Sequence, residues 1–403
     1  VTPGRVLLDA FDHGRPIVER LLGVALPAPD PTRAARLAGS ADPDPRSAPD
    51  RWYGTLLAAM AGEGLDAELG WVRLLPSFAA LVPDDRMRAA RADAVDLARL
   101  EDEALVRLVA ERVDIREVDL VASVAAGPFV SIKLNHGFWE CVTRTAYGVA
   151  GLPYYRDWTP WAEHVAGRFD DLTLLALDRV HSAGIAGPAG AGWLCGDRFA
   201  FGLSPRNGDD RAWASLVPPL HPNAHGATVG FLAVLGALAP GVTWHVADGS
   251  AAKQLVWEDR VAVLASTLAA ATDALLVIGP PHLADLDVPA FDGTRESLIV
   301  PERFVHEQWP AVLPILVGRI AALAEDGRRV TVIVQAGATA ALVGLVMALW
   351  SADRAMAQVR YLDLGQLLDI VARDDPRAGT WVNKDRVVDR FAAGVATGFT
   401  RRD

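Results

Sequence analysis

Lysine is almost absent from this chain: among 403 residues there are three, Lys133, Lys253 and Lys384. Arginine supplies the rest of the 39 basic side chains, and 50 Asp and Glu leave a net charge of -11. That balance gives no global field for a polyanion, which excludes DNA as an expected partner and disfavours tRNA. The shortage of lysine beside abundant Ala and Arg matches high-GC codon usage. Cysteine is as scarce, and Cys141 with Cys195 can make at most one disulfide, too few for a disulfide framework or a zinc knuckle. The N-terminal run has no uninterrupted apolar stretch of signal-peptide kind, because Asp9 and Asp12 break it, so a cytoplasmic protein is expected. The longest apolar tract, 332–350, approaches the roughly 20 residues that cross a bilayer, yet Gln335, Gly337 and Thr339 divide it into strand, turn and helix. No membrane partner is expected. There is also no Gly-x-Gly-x-x-Gly, no P-loop lysine and no Gly-x-Ser-x-Gly elbow, so NAD-binding, ATP-hydrolase and serine-hydrolase readings lose their main support.

What is present is apolar surface, 51% of residues, enough for a large core. Residues 1–115 read as a helical N-terminal extension: helical periodicity over 5–24, a Pro/Asp-rich loop over 27–50, then helical patterning from Trp52 to about Arg112. From 116 to 372 short apolar runs alternate with helical segments, which predicts an α/β fold, a Rossmann-like, mostly parallel sheet with helices on both faces. Strands are expected at 129–134, 172–176, 242–246, 274–278, 297–300, 330–334 and 359–363, with helices at 228–238, 257–271, 310–324 and 338–350. Residues 373–403 form a polar tail with an edge helix.

In an open parallel sheet ligands gather at the carboxyl ends of the strands, so the residues just beyond each run are the site candidates. Asn135-His136-Gly137-Phe138-Trp139-Glu140 follows the first run, with Lys133 two residues earlier. An amide, an imidazole and a carboxylate so close together could position a substrate or a metal; alternatively Asn135 caps a helix, His136 is a surface turn residue, and Phe138 and Trp139 enter the core. Gly279-Pro-Pro-His282 follows the 274–278 run, and Gln335-Ala-Gly337-Ala-Thr339 follows 330–334, a Gly-rich turn with a hydroxyl that could cradle a phosphate. Asp363-Leu-Gly-Gln366 closes the last run, where a carboxylate could take a sugar hydroxyl or simply cap a turn. His221 and His225 stand at metal-ligand spacing, but Pro222 and Gly226 favour a loop or helix start. His245 within a strand and Asp248 beyond its end, with Lys253 and Glu258 following, are weaker candidates, since a core histidine and an Asp-Gly turn would read the same.

Taken in order, these turns resemble the GT-D-type family of bacterial glycosyltransferases. The resemblance rests on Val130-Ser-Ile-Lys-Leu-Asn-His-Gly-Phe138, on Leu275-Leu-Val-Ile-Gly279 through Val300-Pro301, on Gln335-Ala-Gly-Ala-Thr-Ala340 and on Leu362-Asp-Leu-Gly-Gln366. It spans about 116–372 and implies a Rossmann-like core that transfers a sugar from a nucleotide-sugar donor. The family's Asp-x-Glu, associated with metal and donor diphosphate, is His136-Gly-Phe138 here, and its Gly-His is Gly365-Gln366. A divalent ion needs anionic oxygen ligands, so no metal site is assigned.

The resulting expectation is a glycosyltransferase-like group-transfer enzyme acting on a small-molecule or glycan-precursor acceptor. Its catalytic residues would be His136, Glu140 and Asp363, and its donor site Lys133, Asn135, Gly279, Gln335, Gly337, Thr339 and Gln366, with Arg144 as an alternative to Lys133 for the leaving group. Two other readings stay open: a non-catalytic relative that binds a nucleotide-linked metabolite or a partner protein, and a transferase using an acyl or aminoacyl donor. Trp139, Trp158, Trp161 and Trp193 would suit a sugar platform or an interface. Homo-oligomerisation is left open.

Overall fold

The computed structural model describes residues 3–26, 84–143, 160–183, 192–196, 198–204, 218–220, 222–249, 251–300, 305, 309–325, 327–352, 358–372 and 392–402. Strands run Val113–Arg116 (β1), Phe129–Asn135 (β2), Gly192–Trp193 (β3), Cys195–Gly196 (β4), Phe199–Ser204 (β5), Trp244–Asp248 (β6), Ala274–Gly279 (β7), Leu286–Asp287 (β8), Thr294–Ile299 (β9), Val330–Val334 (β10), Val359–Asp363 (β11) and Thr400–Arg401 (β12). Helices run Pro3–Leu22 (α1), Asp84–Leu97 (α2), Asp102–Arg112 (α3), Leu120–Ala126 (α4), His136–Thr143 (α5), Pro160–Ser182 (α6), Pro222–Leu238 (α7), Ala251–Trp257 (α8), Val261–Ala271 (α9), Trp309–Glu325 (α10), Ala338–Ala352 (α11) and Asp369–Ala372 (α12).

The main sheet has the order β1-β6-β5-β2-β11-β10-β7-β9, and every neighbouring pair along that path is parallel. Parallel strands need crossovers that cover both faces, so their central residues are apolar without alternation; β7 and β10 are buried at every position. One face carries α1, α2, α3, α5, α6, α7, α10 and α11 around Trp139, Trp309 and Tyr361. The other carries α4, α8, α9, the segment 283–291 and the residues after β11. The chain is thus an α/β protein with a Rossmann-like parallel sheet between helical layers.

The apolar tract at 332–350 resolves into β10, a turn at Gly337 (φ +53°) and α11, whose residues from Ala338 to Ser351 are all buried against the sheet. Among the described residues no helix is long and apolar enough to cross a membrane.

Three sequence expectations need correction. Residues 172–176 are not a strand but the middle of α6, in which every residue from Phe169 to Leu177 is buried. A helix buried all round shows no amphipathic period and reads like a core strand; its polar residues are satisfied locally, Thr173 Oγ1 donating to Phe169 O at 2.8 Å and Asp170 pairing with Arg91 at 3.3 Å. The helix expected over 257–271 is two helices, broken at Asp259, whose φ is +55°. The extension expected to be helical over 1–115 also supplies a strand, because Val113 opens β1 on the sheet edge just after the last helix ends at Arg112. The strand β5 was not anticipated at all. The loop at 27–50, the helical patterning over 52–83 and most of the tail lie outside the described residues; of the tail, 392–396 is helical and β12 pairs with β8.

The N-terminal helix is part of the core. Val18 and Leu22 of α1 are fully buried, and α1 crosses α10 at Gly14 and Gly318.

Candidate functional site

Adjacent parallel strands whose connections leave toward opposite faces create a crevice at their carboxyl ends. The pair β2 and β11 does this: β2 runs into α5 on one face, whereas β11 runs into the segment 365–372 on the other. A cleft of about 530 Å³, counting its part open to solvent, lies at that point and continues past β5 to the tip of β6.

Among the described residues four charged side chains line it: Lys133 from β2, Asp363 from β11, Asp248 from β6 and Lys253 from α8. Asp248 and Lys253 are 5% and 8% exposed, so these charges are built into the wall rather than spread over the surface. The walls between them are aliphatic: Leu120 of α4, Ala251 and Ala252 of α8, and Leu364 and Leu367 after β11. The floor closes because a Cβ on Gly202 would stand 2.6 Å from Gly249 Cα, so only glycine lets β5 meet the chain leaving β6. Asp119 fixes the α4 wall. Its carboxylate accepts from Val121 N and Ala122 N at the helix start and pairs with both oxygens to Arg260, and the Ala122 N–H and the guanidinium hold its pKa below the usual value.

Asp363 is the electrostatic centre. Its Oδ1 accepts from Gly365 N at 2.9 Å, where Gly365 takes a φ of +56°, and its Oδ2 accepts from Lys133 N at 3.2 Å. Burial pushes its pKa up to about 6, against the opposing pull of those two N–H groups and the Lys133 ammonium. Burial likewise lowers the pKa of Lys133, and the Asp363 carboxylate only partly offsets it. Among the described residues the Lys133 ammonium makes no hydrogen bond or ion pair, although it is surrounded by protein and still reached from the cleft.

The expected site residues divide. Lys133 and Asp363 line the cleft. Asn135 caps α5, accepting from Phe138 N at 3.1 Å. His136 and Glu140 occupy the first residue of α5 and one turn further on; their side chains, and that of Gln366 in the 3-10 turn after β11, are outside the described ones. Gly279, Gln335, Gly337 and Thr339 sit at the tips of β7 and β10, on the far side of β11 from Lys133, and do not line the cleft. Gly279 is buried, and Leu283 Cδ1 fills the space a Cβ would need at 2.5 Å. Gln335 joins a separate polar cluster: Asp369 Oδ1 accepts from Gln335 Nε2 at 2.8 Å and lies 2.7 Å from His282 Nε2. Gln335 Oε1 and Thr339 Oγ1 are buried without a hydrogen-bond partner among the described residues.

Trp139 is neither platform nor interface: it is fully buried and its Nε1 donates to Leu134 O at 3.0 Å. Trp158 and Arg144 lie outside the described residues. His225 pairs with Asp102 at 2.8 Å, and His245 with Asp114 at 2.6 Å, both away from the cleft. Among the described residues no three His, Cys, Asp or Glu side chains are grouped so as to hold a metal ion. Sequence reasoning noted Lys253 only as following the weaker His245 and Asp248 candidates and kept it out of the expected site. The signal for Lys253 was its rarity, since two of the chain's three lysines meet in this one cleft.

Fold and site together define the class: an open, doubly wound α/β protein with a charged cleft at the strand tips where its crossovers change face. No family model, no curated protein and no solved structure matches the chain.

Proposed function

We propose that this protein is a group-transfer enzyme of glycosyltransferase-like kind, which holds the phosphates of a nucleotide-activated donor in the β2/β11 cleft. The observation that carries the reading is the meeting of Lys133 and Lys253 in a cleft that also holds Asp363. A desolvated cation gains most from an anion brought to it, because the low local dielectric strengthens the attraction. Phosphate is the common biological group that takes up such a pair. Departure of a nucleoside diphosphate develops negative charge on the leaving oxygen, and ammonium groups placed there stabilise it. Asp363 accepts a donor hydroxyl, and His136 or Glu140, adjoining Lys133 along the chain, takes the acceptor's proton.

Ligands that bind only the folded chain raise its melting point, by about 2.7 kcal/mol of stability at a hundredfold excess over Kd. A thermal-shift series with UDP, other nucleotides, nucleotide sugars, pyrophosphate and coenzyme A, with and without Mn²⁺, is therefore expected to show stabilisation by diphosphates. Lys133→Met and Lys253→Met should each abolish most of it. Silence from every phosphate compound would remove the reading. A second reading, a non-catalytic binder of a nucleotide-linked metabolite, is favoured by His136-Gly-Phe138 standing where the resembling family has Asp-x-Glu; donor consumption during binding separates the two.

A further inference from the structure

We infer that the Lys133 amine is a covalent capture site for small anionic aldehydes and ketones, forming an imine inside the cleft. The inference does not depend on a nucleotide donor. It stands on the placement of one amine. Lys133 projects from the middle of the sheet, on β2, flanked by β5 and β11, so its stem is held by rigid neighbours. Its ammonium has no hydrogen-bond or ion-pair partner among the described residues, and burial lowers its pKa against the pull of Asp363, which eases loss of the proton that masks the nucleophilic lone pair. The amine faces a cleft that opens to solvent, so a carbonyl compound can reach it.

The same cleft supplies the other groups that imine formation needs. Asp363 lies beside Lys133, and because burial brings its carboxyl to about 6 it exchanges protons near neutral pH. Lys253 supplies positive charge for the anionic part of the compound, and aliphatic walls limit water. The Lys133 nitrogen lone pair attacks the carbonyl carbon, forming the C–N bond, while the carbonyl oxygen takes a proton from the Asp363 carboxyl. The resulting hydroxyl leaves as water with a further proton as the C–O bond breaks and the C=N bond forms. The two amine protons end in that water, Asp363 recovers its proton, and no electrons are exchanged with an outside reagent.

The scarcity of lysine makes the test easy to read, because three side chains and the terminal amine exhaust the candidates. The intact chain is treated with pyridoxal 5′-phosphate, an anionic aldehyde that absorbs when it forms an imine, and the adduct is fixed with borohydride and located by peptide mass spectrometry. The expected result is modification at Lys133, faster than that of Nα-acetyl-lysine by on the order of tenfold and slowed by inorganic phosphate. Lys133→Met and Lys133→Arg should both lose the adduct, the arginine keeping the charge and bulk in case the methionine variant does not fold. Labelling of Lys133 at the rate of the free amine, or labelling confined to Lys253, Lys384 or the terminus, would overturn the inference. A chain that labels at Lys133 yet ignores every nucleotide loses the group-transfer reading and keeps this one; the opposite pair of results does the reverse.

Discussion

Gly318→Ala is expected to destabilise the protein by about 3 kcal/mol or more, although the same change in an ordinary helix stabilises by up to about 1 kcal/mol. The reversal follows from the crossing of α1 and α10. A Cβ on Gly318 would stand 1.8 Å from Ala10 O, and one on Gly14 would stand 1.9 Å from Pro314 O. Both obstacles are backbone, so no rotamer change relieves them. The two helices would have to move apart along their length, loosening Val18 and Leu22 of α1, which are fully buried. Gly236 in α7 is the control, since a Cβ there meets nothing within 4 Å. Urea denaturation of Gly318→Ala and Gly236→Ala should therefore give shifts of opposite sign. If both variants gain stability, α1 does not pack as described, and the N-terminal helix is an appendage rather than a layer of the core.

That helix also marks the limit of what the sequence discloses. Its periodicity was legible, whereas its partner was not, because a glycine in an apolar helix looks alike whether it meets solvent or another backbone. Strands at 274–278 and 330–334 were legible because parallel central strands are short runs rich in Val, Ile and Leu, and 359–363 because a short, mostly apolar run ends on Asp363 before a glycine turn. The same criterion misplaced 172–176, where a helix buried on all sides yields a similar run. It also missed β5, whose Phe-Ala-Phe-Gly-Leu-Ser carries a glycine that is there to admit Gly249, not to make a turn.

The candidate site divides along the same line. Lys133 and Asp363 could be named because each sits at or near the end of a recognisable strand. That they adjoin, and that Asp248 and Lys253 join them, is decided by the strand order β6-β5-β2-β11, which pairs segments distant in the chain, β2 with β11 most of all. Local pattern does not encode that order. It follows from which crossover covers which face, and so the turn at 335–339 proves to lie beyond β11 from the cleft it was expected to serve.

Asp363 offers the sharpest physical check on the cleft, because its environment predicts a stability change of known sign. Its carboxyl has a pKa of about 6 when folded against 3.8 ordinarily, so between those values the folded chain keeps a proton that the unfolded chain has released. The folded state then binds more protons, and stability from this group is present at low pH and lost as pH rises through the window. A gap of that width corresponds to on the order of 3 kcal/mol. Asp363→Asn cannot titrate. Its amide oxygen can accept from only one of Gly365 N and Lys133 N, which lowers stability by about 1 kcal/mol at every pH. The variant's stability relative to the wild type should therefore climb by on the order of 3 kcal/mol between about pH 4 and pH 7.5, overtaking it at the upper end. Denaturation curves across that range measure the difference directly and cancel the titration of the shared groups that do not interact with Asp363. A difference that stays flat would mean that Asp363 ionises as in water, and that the cleft is neither desolvated nor the place where a buried amine awaits an anion.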